Sequence, residues 1–455
     1  MSRFVCIHGH FYQPPRENPW LDEVEIEDSA YPYHDWNERI TAECYAPNAA
    51  SRILDPDKRI TDIVNNYARI SFNFGPTLLT WLERNQPEVY RAILNADKES
   101  MQRFSGHGSA MAQVYNHVIM PLASRCDKRT QVLWGIEDFI FRFGRRPEGM
   151  WLSETAVDTE TLEILAEQGI AFTILSPNQA SRIKPIDGSQ WTGVGKGIID
   201  CSEPYLCRLP SGRSVAIFFY EENIAREVAF SRLLENGEGF GSRMMQYFFQ
   251  NRKESGLLSI ASDGETYGHH HRFGDMALAY ALHYLESRNL ARITIYGEYL
   301  SMYPPTHQVE IIENTSWSCP HGIERWRSDC GCCTRGSRIQ VTPPGPSPVL
   351  NTLPGDRSCE IISRQTWREP LREAMDWLCQ NLAVLYGERM NSYVSDPWQA
   401  RDEYIDIILD RSPGTIEAFF SNHAVRSLSK EEKVQALKLL EMQRNSMLMY
   451  TSCGW

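Results

Sequence analysis

Short apolar runs alternate with amphipathic stretches through the first two thirds of the chain. The runs Phe4–His8, Ile70–Phe74, Gly149–Leu152, Ile170–Leu175, Val215–Phe219, Leu257–Ser262 and Arg292–Tyr296 have the length and composition of buried strands. Helical spacing fits Thr61–Ala68, Thr77–Glu83, Thr130–Phe143 and Met276–Leu285 between them. Asp158 suits the cap of a further helix that buries Leu162, Leu165 and Ala166 and stops at Gly169. Alternating β and α units over about 300 residues predict a parallel sheet, closed as a barrel or open and doubly wound. Segment 341–357 holds five prolines (Pro343, Pro344, Pro346, Pro348 and Pro354) and reads as a boundary loop. From Trp367 to Tyr450 the pattern is almost wholly helical, and Ser429-Lys-Glu-Glu reads as the capping box of a long last helix. The expected division is therefore an α/β body over 1–340, a loop over 341–357 and a helical region over 358–455. The final residues, Tyr450 to Trp455, form no polar tail, which suggests a cut inside a longer chain.

Two acidic residues stand directly after apolar runs: Glu154 after Gly149-Met-Trp-Leu-Ser, and Asp263 after Leu257-Leu-Ser-Ile-Ala-Ser. Carboxylates at the C-terminal ends of parallel strands occupy the place where α/β folds build their active sites. A pair of them suits acid/base or nucleophilic chemistry on a sugar. His8 and His10 alternate at the end of the first strand, so both rings point to one side. Gln13 and Pro14 follow in the loop, and His117 and His269-His-His271 add further candidates. Rings at such positions suit metal binding, hydrogen bonds to sugar hydroxyls or the orientation of a carboxylate; the plainer alternative is a satisfied polar residue at the rim.

Composition narrows the partners. The net charge of −12 comes without a long basic run, which argues against nucleic acid. No apolar stretch approaches the roughly 20 residues of a membrane span, and the N-terminus lacks signal-peptide architecture, so a cytoplasmic protein is expected. The 12 Trp and 20 Tyr exceed what a plain core requires and can serve as sugar platforms, although core packing accounts for most. The 12 cysteines are scattered and read as reduced thiols. One group is denser: Cys319, His321, Cys330, Cys332 and Cys333. Zinc is compatible with those residue types, but the spacing is not that of a standard finger, so buried thiols are the default and no metal is assigned.

Several stretches together resemble the signatures of glycoside hydrolase family 57. Phe143-Gly-Arg-Arg-Pro-Glu-Gly-Met-Trp-Leu-Ser-Glu154 is similar to the signature that carries the nucleophile, and Asp263-Gly-Glu-Thr-Tyr-Gly-His269 to the one that carries the general acid/base. His8-Gly-His10 with Gln13-Pro14 looks like a variant of the opening signature. Asn73-Phe-Gly-Pro-Thr-Leu78 and His117–Pro121 resemble the second-strand and histidine–proline segments, and Ser316-Trp317 with His321 and Trp326 the last, aromatic one. There are departures. Ser153 replaces the usual proline or alanine, Tyr220-Glu221-Glu222 replaces an arginine–aspartate pair, and the cysteines near 330 are unlike the best-known members.

The resemblance implies an incomplete (β/α)7 barrel over 1–340, followed by a further helical domain of which 345–455 look like the beginning. It implies retaining chemistry on an α-glucan or related oligosaccharide, with Glu154 as nucleophile and Asp263 as acid/base. Substrate contacts would come from His8, His10, Gln13, His117, Trp151, Glu265, His269, Trp317, His321 and Trp326, and neither metal nor cofactor is expected. Amylase, 4-α-glucanotransferase and branching activities all remain open. Two rivals are a zinc-dependent carbohydrate hydrolase of mannosidase or deacetylase type, built on His8, His10, His117 or His269, and a glucan-binding protein without turnover.

Overall fold

Seven parallel strands follow one another around a curved sheet in the computed structural model, which describes residues 3–21, 23–195, 198–251, 255–332 and 365–455. They are β1 (Arg3–Phe11), β2 (Ser71–Phe74), β3 (Ala112–Gln113), β4 (Met150–Trp151), β5 (Phe172–Leu175), β6 (Ser214–Phe219) and β7 (Gly256–Asp263). β1 pairs with β7 along its whole length and with β2 over its second half, while Arg292–Ile293 pairs with its first half. A bridge from Phe72 to Ala110 leads to β3, β3 pairs with β4, and a bridge from Gly149 to Phe172 leads on to β5 and then β6. Between β6 and β7 the described residues form no ladder; Glu221 N donates to Ser259 O (2.8 Å) just past the end of β6. This is the incomplete seven-stranded α/β barrel expected from the sequence.

Helices cover the outside, because every barrel strand is buried on both faces. Asp158 caps Thr159–Glu167 through Thr161 N, and Gly169 lies at φ 81° just beyond its end. Gly135, inside helix Arg125–Phe143, has a different purpose: a Cβ there would lie 2.1 Å from the backbone oxygen of Gln113. Its absence lets the helix lie directly on β3.

Three segments depart from the sequence reading. Thr61–Ala68, expected as a helix, is a strand (Ile60–Val64) and a short 3-10 turn (Asn66–Ala68). The β-branched Ile60, Thr61, Ile63 and Val64 favour the extended form, and Ser51–Leu54 supplies an antiparallel partner. The last expected strand ends at Ile293, after which Thr294 Oγ1 donates to Glu298 Oε2 (2.7 Å) and the chain enters helix Tyr296–Met302. A side sheet on β6, made from Ala180–Pro185, Thr192–Gly193, Tyr205–Arg208 and His307–Ile311, was not foreseen. The proline-rich loop at 341–357 lies outside the described residues.

The C-terminal helices are Arg368–Met390, Pro397–Glu403, Ile405–Leu409, Pro413–His423 and Lys430–Leu448, the last opened by the Ser429/Glu432 capping box. They share a core with the barrel, since Tyr115 and Trp134 pack among Tyr386, Met390, Tyr404, Phe420 and Leu440. Arg401, almost fully buried, donates to Asp127 Oδ1 (2.7 Å), Thr130 Oγ1 (2.9 Å) and Gln443 Oε1 (3.2 Å). No helix among the described residues is long and apolar enough to cross a membrane.

Gly135→Ala should push the helix off β3 at a cost of about 1–3 kcal/mol. Denaturant unfolding read by tryptophan fluorescence checks this, and an unchanged midpoint would show that the close approach is unimportant.

Candidate active site

Strand register assembles one face of the cleft. In the parallel ladders His10 is aligned with Asp263 of β7 on one side and with Asn73 of β2 on the other, and His8 is aligned with Ser71. Gln113 of β3 is aligned with Trp151 of β4. The C-terminal strand ends thus present a continuous row of Asp263, His10, Asn73, Gln113 and Trp151, with Glu154 in the loop just beyond.

Side chains lock this row. Asn73 is the hub: its Oδ1 faces His8 Nε2 (3.0 Å), and its Nδ2 donates to Gln113 Oε1 (2.7 Å) and lies 2.9 Å from His10 Nδ1. With Nδ1 of His10 accepting, its Nε2–H donates to His117 Nε2 (3.0 Å), and His117 Nδ1–H then donates to Ser452 Oγ (2.6 Å). Rings stack along the same line: Trp151 lies on both His8 and His10, and Tyr12 lies 3.9 Å from His117. Burial pushes His8, His10 and His117 down to about 3; neighbouring rings add to this for the first two. All three are neutral near pH 7 and act as hydrogen-bonding frames rather than charges.

Glu154 leaves β4 in an unusual backbone state. It and Thr155 have φ of 56° and 50°, and His117 has 54°. Side chains other than glycine and asparagine rarely occupy that region, and each such residue costs about 1–3 kcal/mol unless its surroundings hold it. Here the loop after residue 314 does so. Trp317 N donates to Glu154 O (3.1 Å) and Trp317 Nε1 donates to Glu154 Oε2 (2.9 Å). Ser318 Oγ donates to the same carboxylate oxygen. The indole of Trp317 stands edge-on to Trp151 and Tyr220.

Asp263 is open to solvent on its cleft side yet enclosed by protein elsewhere. This enclosure, then the charge of Glu154, then that of Glu265 push its carboxyl up to about 7. Glu265 is also pushed up to about 7, by burial, against hydrogen bonds from Tyr45 OH (2.5 Å), Tyr12 N (3.1 Å) and the Gln13 side chain that favour its anion. The two carboxyls titrate as neighbours, so their apparent values belong to the pair. Three acids within one cleft can place a protonated carboxyl beside an ionised one near neutrality, which is what proton donation and nucleophilic attack together require.

The structure brings His8, His10, Gln13, His117, Trp151, Glu265 and Trp317 together near Glu154 and Asp263, although His8 and Trp151, expected to touch substrate, are fully buried. The other expected contacts stand apart. His269 is held by Glu43 through Nδ1 and lies against Trp36. Trp326 is buried with Ile119, Ala156 and Ile323 beneath the loop rather than open to the cleft. His321 Nδ1 lies 3.2 Å from Cys332 Sγ, in a group with Cys319 and Cys330. Sequence reasoning overlooked Tyr12, Tyr45, Gln113, Ser318 and Ser452. Ser452 gave no signal at all, since it reaches His117 from the opposite end of the chain. Glu221 caps helix Glu222–Phe230 through Ile224 N, so its role there is structural. Gln113 Nε2, Trp151 Nε1 and Ser153 Oγ are buried without a partner among the described residues; a ligand or water that reached them would satisfy them.

Comparison with known proteins gives the family. The model of glycosyl hydrolase family 57 matches residues 5–312. The chain belongs to glycosyl hydrolase family 57. Residues 364–455 match a domain of unknown function, DUF3536. Alpha-amylase 1 of Dictyoglomus thermophilum is 29% identical over 203 residues, 44% of this chain and 26% of that protein, so the chain spans about a quarter of that relative's length. An exo-type maltose-forming amylase from Pyrococcus sp. ST04 shares the fold with TM-score 0.66 at 17% identity, over 100% of this chain and 75% of that one. A family 57 branching enzyme from Thermococcus kodakaraensis does so with TM-score 0.54 at 15% identity, over 100% and 92%. Both likenesses run through the helical region of this family 57 member.

The carboxyl stretch assigned by difference to Asp263, wild type minus Asp263→Asn, should titrate with a midpoint near 7 in infrared spectra. Glu265→Gln should lower that midpoint, because one neighbouring negative charge is gone. A midpoint near 4 in the wild type would refute the electrostatic description.

Proposed function

We propose that this chain is a retaining, α-glucan-active glycoside hydrolase or transglycosylase in which Glu154 is the nucleophile and Asp263 the general acid/base. One observation carries the reading: Glu154, held by Trp317 Nε1 and Ser318 Oγ, lies close enough to Asp263 for its charge to help raise that carboxyl to about 7. Family membership supports the substrate class, and the relatives named above are an amylase, a maltose-forming amylase and a branching enzyme.

In this reading a carboxylate oxygen of Glu154 attacks the anomeric carbon while the glycosidic C–O bond breaks. Asp263, protonated, gives its proton to the departing oxygen, which leaves a glycosyl ester on Glu154 and an ionised Asp263. Asp263 then takes a proton from the incoming water or sugar hydroxyl, whose oxygen attacks the anomeric carbon and frees Glu154. Loss of charge at Glu154 in the first step removes the repulsion that, after burial, helped to raise Asp263. Its pKa then falls, but its base role needs only that it be ionised. Trp317 and Ser318 place the attacking oxygen. The neutral row of His8, His10, Asn73 and His117 fixes the floor of the sugar site, and a neutral imidazole–amide frame suits hydroxyl groups rather than charged ligands.

A histidine-bound catalytic metal is the weaker reading because the ring nitrogens of His8, His10 and His117 already have protein partners.

Glu154→Gln should abolish turnover of α-glucans while glucan binding persists, and azide should restore part of the turnover of activated aryl glycosides. Asp263→Asn should lose least on those same activated substrates, whose leaving group needs no proton, and should lack the fall in kcat/KM above about pH 7 that is expected of the wild type. Reducing-end and chain-transfer assays on glycogen, amylose and pullulan read both variants. Near-normal turnover by both would sink the assignment.

A further inference from the structure

The loop that grips Glu154 ends in a cluster the mechanism does not use. Cys319 directly follows Ser318, and His321, Cys330 and Cys332 complete the group. Cys319 Sγ lies 3.3 Å from Cys332 Sγ and 3.8 Å from His321 Nδ1, and His321 Nδ1 lies 3.2 Å from Cys332 Sγ. One ligand atom from each of the four residues lies within 4.8 Å of all the others. A disulfide needs sulfurs at about 2.05 Å, so the Cys319–Cys332 separation is that of two thiols and not of a bond. A tetrahedral zinc ion with about 2.3 Å to sulfur and about 2.0–2.1 Å to nitrogen would set its ligands about 3.8 Å apart for sulfur pairs and about 3.6 Å for a sulfur and a nitrogen. The sulfur–nitrogen separations of 3.8 and 3.2 Å bracket the second value, and the sulfur pair at 3.3 Å falls short of the first.

We propose that Cys319, His321, Cys330 and Cys332 bind one zinc ion as a closed, structural Cys3His site. Thiolates with one imidazole select a soft, tetrahedral ion, and four protein ligands leave no open position for chemistry. The site closes a stretch with little regular structure. Between Asn314 and Cys332 the regular element is the 3-10 turn Glu324–Trp326, and its apolar contacts are Trp317 against Trp151 and Tyr220 and a small cluster of Ile119, Ala156, Ile323 and Trp326. Backbone bonds from Gly322 N to Cys319 O (3.0 Å) and from Ile323 N to Asn314 O (3.2 Å) bend the chain so that Cys319 and His321 share one side. Zinc would therefore fix Cys319, and through the adjoining peptide the Ser318 hydroxyl and Trp317 indole that hold Glu154. That consequence rests on the proposed role of Glu154; the metal site itself does not.

The test uses the full chain, reduced and purified without chelator from zinc-supplemented culture. Elemental analysis should find one zinc per chain, and a mercurial should release it in step with titration of three thiols. Cys330→Ser and Cys332→Ser should each lose the zinc, while Cys379→Ser keeps it. Cobalt loaded into the stripped wild type should show the intense visible bands of a tetrahedral thiolate site, a readout that does not depend on the variants folding. Absence of zinc together with failure to take up cobalt would overturn the site, as would six-coordinate cobalt or zinc retained by both serine variants. A Cys319–Cys332 disulfide found by mass spectrometry of the native protein would overturn it as well. For the loop, stripping zinc should lower kcat with little change in KM, since the two hydrogen bonds that place the Glu154 carboxylate loosen. An unchanged kcat after complete stripping would overturn the link to Glu154 while leaving the metal site standing.

Discussion

The parallel pairing of β1 with β7 on one side and β2 on the other determines the cleft. Register leaves no freedom here: a slip by one residue would turn His8 and His10 to the other face of the sheet and separate them from Asp263 and Asn73. β1 is able to hold that register because it is buried on both faces and paired along its whole length with β7. The acid, the histidines and the amide hub therefore inherit their relative positions from backbone hydrogen bonds rather than from their own weak contacts.

Against that rigid row, Glu154 is placed by a different device. It stands beyond β4, in a left-handed backbone conformation that it would not choose alone, and the Trp317–Ser318 segment supplies the bonds that keep it there. Strain on one side and a gripping loop on the other give a carboxylate with a fixed direction. Burial first, and then the charge of this neighbour, raises the carboxyl of Asp263, so that geometry and protonation are linked.

The helical region takes part in this too. It shares a core with Tyr115 and Trp134, and its final turn meets the histidine segment directly. Thr451 Oγ1 donates to Asn116 O (3.0 Å), Ser452 N donates to His117 O (2.9 Å), and Ser452 Oγ accepts from the ring of His117. His117 has a positive φ, and these contacts help to hold it. Cys453 follows, exposed to solvent on one side, and enclosure by protein on the other and the charges of Glu154 and Asp263 push its thiol up. A region recognised only as a domain of unknown function is thus joined to the row of strand-end side chains.

Much of this was legible in the chain itself. Apolar runs marked the barrel strands, because a strand buried on both faces must be apolar throughout, and the acids after two of those runs marked the strand ends. The helix starts at Asp158 and Ser429 were readable for a similar reason, since a cap bonds within three residues of itself. The Thr61–Ala68 segment was misread because a hairpin partner ten residues away, not local spacing, decided its conformation. For His8 and His10 the sequence offered metal, sugar hydroxyls or a carboxylate as partners, and the groups they meet in the fold, Asn73 and His117, lie 63 to 107 positions along the chain. The grip of Ser318 on Glu154, the bond from His117 to Ser452 and the convergence of the four groups from Cys319 to Cys332 belong to tertiary structure alone. Local sequence determines what a residue can bond to; only the folded chain decides which partner arrives.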